Sequence, residues 1–141
     1  MRVAAGTTDG IAGLLASGAK RSGDANSTLG PPLVWKVLSQ IRGEASHGIY
    51  SHRHPAGYWA PGAASNSGPG CIECGADDPE ALDTRAAAYL PTPVLCYPLS
   101  ACGERFPFTN ASATGFRSGR PGSAAEWHAA QLQALAFLER W

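Results

Sequence analysis

The chain has 141 residues with 11 basic and 11 acidic side chains, so its formal net charge is zero, which excludes a bulk electrostatic pull toward nucleic acid or an anionic membrane. Leu, Ile, Val and Phe make up only 24 of the 141 residues, while Gly and Pro make up 28; few large apolar side chains stand against a large backbone entropy, and a metal, a disulfide or a partner would help such a chain fold. No run of about 18 apolar residues is present to span a bilayer.

Residues 1–30 are small and polar, with glycine or serine every few positions. A short helix near Ile11 to Lys20, capped by Thr8 or Asp9, is weakened by Gly13 and Gly18. This stretch reads as a mobile arm, and residues 31–141 as a single small domain. One early arginine and a glycine-broken apolar patch make a poor signal peptide, so the default expectation is a cytoplasmic, reducing setting.

The segment PPLVWKVLSQIRG predicts a helix over 31–42. Pro31 and Pro32 suit a first turn, Leu33, Val34, Val37, Leu38 and Ile41 fall on one stripe, and Gly43 can close it. From Glu44 to Asp78 periodicity is lost, and Pro55 to Gly75 alone holds five glycines and three prolines. A loop that long inside a compact domain needs a pin. Asp78-Pro79-Glu80 starts a second helix, expected over 79–89, and Pro91 blocks its continuation. PVLCYPL, at 93–99, is at best a short apolar strand between prolines. Ser123-Ala-Ala-Glu126 is a capping box that opens a helix over 124–141. Trp127, Leu138 and Trp141 share one face of that helix, which reads first as core and second as a docking surface for a protein partner.

Cys71-Ile72-Glu73-Cys74-Gly75 resembles the zinc knuckle of zinc ribbons and similar small zinc modules. Two thiolates three positions apart on a tight turn can reach one ion, and glycine permits the fold-back beneath it. Cys96 and Cys102 are the remaining thiols, giving C-x2-C-x21-C-x5-C, in which the second pair is off pattern. His52 and His54 are alternative ligands, two imidazoles on one side of an extended segment. Together with Cys71 and Cys74 they also resemble a zinc deaminase or hydrolase site, but the position of its proton-carrying glutamate holds His54. A redox dithiol is disfavoured, because the next helix begins too late to activate the pair and acidic neighbours oppose a thiolate. A two-disulfide secreted chain has three connectivities that the sequence leaves open.

Acidic residues beside the cysteines would repel phosphates, which argues against nucleic acid. Tyr58-Trp59 in a Pro/Gly loop is either a stacking platform or a substitute for missing core. No phosphate-cradling loop or nucleophile elbow is visible. The sequence therefore predicts a small, loop-rich α or α+β domain with three helices, stapled by one structural zinc on Cys71, Cys74, Cys96 and Cys102. Its expected role is non-catalytic, a module acting through protein-protein interaction. The alternatives are a zinc-dependent hydrolase or deaminase and a poorly ordered chain that folds on a partner.

Overall fold

The computed structural model describes residues 6–75 and 78–140. Among these, three α-helices and six strands in two antiparallel sheets make an α+β fold, which corrects the small, loop-rich, zinc-stapled domain of three helices and one short strand expected from the sequence. No helix of the described residues is long and apolar enough to cross a membrane.

The stretch expected to be an arm carries α1 (Asp9–Ala16) and β1 (Ala25–Leu29). Helix α1 starts where the Thr8 carbonyl accepts from the Ile11 and Ala12 amides, and it buries Ile11 and Leu14. The chain then turns at Asp24, whose carboxylate accepts the Lys20 and Arg21 amides at 2.8 and 2.9 Å, an Asx-type local closure that feeds the strand.

The helix expected over 31–42 is instead β2 (Leu33–Val37). Strands β3 (Tyr50–Arg53) and β4 (Trp59–Ser65) follow, inside the Pro/Gly-rich stretch. The sheet order is β1-β2-β4-β3. Pro61 sits within central strand β4, where proline is disfavoured because it has no amide to donate. It lies where the β2–β4 ladder is interrupted, between the Lys36↔Gly62 pair and the isolated Ser39↔Trp59 bridge.

Both faces of this sheet are covered. On one, Leu38 and Ala60 pack with Ile11, Leu14 and Tyr58 under α1. On the other, Leu33 packs with Leu135 and Leu138 of α3 (Ala124–Arg140), and Trp35, Ile72 and Tyr97 close around them. A two-stranded sheet of β5 (Leu95–Tyr97) and β6 (Phe116–Ser118) and the helix α2 (Pro79–Ala86) pack against other sides of α3. Asp78 caps α2 through the Ala81 amide at 3.0 Å. At α3 the Ser123 hydroxyl accepts the Glu126 amide at 3.1 Å, while the Glu126 carboxylate reaches back one residue further than the sequence box implies, to the Gly122 amide at 2.6 Å.

Candidate functional site

On the α1 face of the large sheet lies an open cavity of about 570 Å³. Its floor comes from adjacent strands, Lys36 of β2, Ala64 of β4, and Tyr50 and His52 of β3; its walls are the start of α1 with Asp9, the Gly30–Pro32 turn, and Arg105. The register explains why these residues meet. Lys36 pairs with Gly62, and Gly62 pairs with Tyr50, so the three form one row across the sheet. Glycine in the middle leaves room for the lysine stem, because a Cβ there would come within 2.9 Å of Lys36 Cγ. The stem therefore arches over β4, and its Nζ reaches 3.1 Å from His52 Nδ1 and 4.6 Å from the centre of the Tyr50 ring.

Lys36 is 4 % exposed. Burial pulls its ammonium below the ordinary lysine range, and the nearby Asp9 carboxylate partly counters that. Burial, and then the Lys36 charge, also hold His52 below its ordinary value. A neutral His52 whose Nδ1 accepts from the lysine is the arrangement these two shifts favour near pH 7. Asp9 is exposed at the cavity wall, with Oδ1 accepting the Gly10 amide at 2.7 Å.

Arg105 is placed by its neighbour. Glu104 is 3 % exposed, and its carboxylate accepts the Ser65 hydroxyl at 2.8 Å, the Tyr97 hydroxyl at 2.6 Å, and the Asn66 and Arg105 amides at 2.7 and 2.8 Å. Burial alone would raise this carboxyl, but the converging donors outweigh it and hold the group below the ordinary carboxylate range. The network ties β4, β5 and the 104–106 turn together beside the cavity.

The residues expected to bind metal are placed otherwise. All four cysteines are free, and among the described residues no three His, Cys, Asp or Glu side chains gather as a metal-holding group. Cys71 Sγ lies 3.4 Å from the Asn66 carbonyl, Cys96 Sγ 3.4 Å from the Ala130 carbonyl, and Cys102 Sγ 3.4 Å from the Ala111 carbonyl. Cys71 and Cys96 share the lining of a separate groove with Glu73, without a further donor to complete a zinc set. The loop is pinned by amides instead: Gln131 Oε1 accepts the Glu73 amide at 2.7 Å, its Nε2 donates to the Glu73 carbonyl at 3.2 Å, and the Trp127 indole donates to the Glu73 carboxylate at 3.1 Å. Of the two histidines, His52 joins the cavity floor, while His54 is buried at the β3–β4 turn with Nδ1 accepting the Ala56 amide at 3.2 Å.

Among the expected partner-binding residues, Leu138 and Tyr58 pack into the two cores, and Trp59 lies under the guanidinium groups of Arg42 and Arg53. Trp141 lies outside the described residues. Sequence reasoning missed Asp9, Lys36, Tyr50 and Arg105. Lys36 left the clearest signal, a lone charge inside the apolar run Leu-Val-Trp-Lys-Val, which the helical reading turned toward solvent.

The fold that carries this cavity is similar to a segment of solved sugar kinases. The chain is similar to xylulose kinase from Rhodospirillum rubrum, at 27 % identity with a TM-score of 0.72, covering 94 % of this chain and 29 % of that one. It is also similar in fold to xylulose kinases from Bifidobacterium adolescentis, at 22 % identity and TM-score 0.76, and Brucella ovis, at 22 % and 0.79. In both, 94 % of this chain is covered, against 28 % and 30 % of the kinase. The chain thus spans less than a third of the length of these enzymes. No protein-family model matches it.

Proposed function

We propose that this chain is part of a sugar kinase, and that its cavity is where a polyhydroxylated acceptor such as a ketopentose meets the phosphoryl group. The observation that carries the reading is Asp9 at the wall of a cavity that Lys36 and Arg105 also line, in a fold shared with a segment of xylulose kinases. Phosphoryl transfer asks little covalent chemistry of the protein. It needs a base within reach of the acceptor hydroxyl, positive charge near the transferred group, and a site that orients both. Asp9 is the base in this reading: its free oxygen takes the proton as the hydroxyl oxygen attacks. Tyr50 and the neutral His52 supply hydrogen-bonding partners for sugar hydroxyls on the cavity floor. The loop-held Arg105 lines the same cavity.

The test is a titration of the chain with D-xylulose, followed by amide NMR. The expected result is shifts confined to the start of α1, to β2 and to β3. In an assay of ADP release from MgATP with the same sugar, Asp9→Asn is expected to lower turnover about 100-fold or more while leaving those shifts in place. Absence of any response to the sugar at millimolar concentration would overturn the reading.

A further inference from the structure

Among the described residues, Lys36 is a buried cation with no carboxylate at ion-pair distance. Its Nζ has three donors; one meets His52 Nδ1 at 3.1 Å, and the group also lies over the Tyr50 ring face. Among the described residues it forms no ion pair with a carboxylate. Asp9 influences it electrostatically from beyond ion-pair distance. Burying an ammonium without a counter-charge is costly, and the fold nevertheless makes space for it on both sides. A Cβ at Gly62 would strike the Trp35 carbonyl oxygen first and would come within 2.9 Å of Lys36 Cγ, and one at Gly10 would come within 3.2 Å of Cε. A helix and a strand are both stripped of side chains at the points where this lysine passes.

The opening above Nζ is a cavity of about 570 Å³, large enough for a ligand to bring the missing charge. Arg105 lines the same cavity and is exposed to it, so the two cations flank a common space. Asp9 lines that space from the start of α1. On β3 the groups facing Lys36 are His52 and Tyr50, neither of which adds negative charge near pH 7.

We propose that Lys36 is the anion receptor of this cavity and that the group it receives is a phosphate, held by Lys36 and Arg105 in the space that Asp9 also lines. The proposal rests on the kinase reading for its purpose: the received group is then the phosphoryl in transit, neutralised by the ammonium while Asp9 takes the hydroxyl proton. Its anion chemistry stands on the geometry alone.

The probe is inorganic phosphate, added to the full chain at constant ionic strength with chloride as the comparison salt. The Lys36 ¹³Cε signal is followed through a pH titration in the unaltered protein. Phosphate is expected to raise the pH at which Lys36 loses its proton and to shift the Lys36 and Arg105 signals, with no such effect from chloride. Lys36→Met, checked for fold by circular dichroism, is expected to bind phosphate at least about tenfold more weakly, and Arg105→Met more weakly by a smaller factor. A Lys36 titration that ignores saturating phosphate overturns the proposal, and so does a folded Lys36→Met chain that binds phosphate undiminished. Should that variant not fold, the titration of the unaltered chain decides. A phosphate response at Lys36 with no response to D-xylulose keeps the receptor and removes the sugar reading; the converse pattern removes the receptor alone.

Discussion

Glu104 stays ionised in a nearly solvent-free position because two hydroxyls and three backbone amides aim at it. Removing that acceptor strands all five donors, and stranded buried donors cost more than the bonds themselves. Glu104→Ala is therefore expected to destabilise the chain by about 3–5 kcal/mol, and Glu104→Gln, which keeps the shape and one acceptor, by about 1–3 kcal/mol, measured by urea denaturation. The same pair sets the pH limits. Glu104 is lowered in the folded state, so its contribution is present above the unfolded carboxylate value and is lost as pH falls below about 4. Tyr97 is raised, first by burial and then by donating to Glu104, so its contribution is present in the neutral range and is lost as pH rises past about 10. Urea midpoints across pH should fall at both ends, and Glu104→Gln should flatten the acid limb. An acid limb that is unchanged in Glu104→Gln would place the titration elsewhere.

Helix α3 carries its function as an element through two glutamines. Gln131 clasps the backbone of Glu73, and two positions on, Gln133 clasps that of Thr92, accepting its amide at 3.0 Å and donating to its carbonyl at 2.9 Å. Each side-chain amide satisfies a donor and an acceptor that irregular chain would otherwise leave open. Gln131→Ala should cost about 1–3 kcal/mol and speed hydrogen exchange at the Glu73 amide while the Thr92 amide stays protected; Gln133→Ala should do the reverse. Equal effects on both amides would mean that the helix, not the clasp, sets local order. These clasps also show why the sequence was legible only in part. Helix starts depend on a few neighbouring residues, so the Asp78-Pro79 start and the Ser123 box pointed to α2 and α3, which begin at Pro79 and Ala124. Strand β2 is covered on both faces, so Leu-Val-Trp-Lys-Val lost the alternation that marks a strand and satisfied a helical stripe equally well. The cavity was hidden for a related reason: Asp9, Lys36, His52 and Arg105 meet through strand register and a long-range turn, and no local spacing connects them. The cysteine spacing was legible and pointed the wrong way, since a pin was needed but the fold uses amides.

At the scale of the whole molecule, the large sheet lies between two small cores. Leu38, just past the end of β2, serves the core under α1, and Leu33, at its start, serves the core under α3 on the opposite face. Each is at most 1 % exposed. With so few large aliphatic side chains in the chain, each should matter beyond its size. Leu33→Ala and Leu38→Ala are each expected to cost about 2–5 kcal/mol. Five residues of strand hold the two sites about 16 Å apart, far enough for their effects to add to within about 0.5 kcal/mol if one cooperative unit spans both faces. Their sum, about 4–10 kcal/mol, then approaches the whole stability of about 5–15 kcal/mol usual for a domain. The double variant should therefore unfold at low urea or none. Two separate urea transitions in either single variant would show instead that the cores melt independently, and that the cavity on the α1 face can open while the α3 face stays folded.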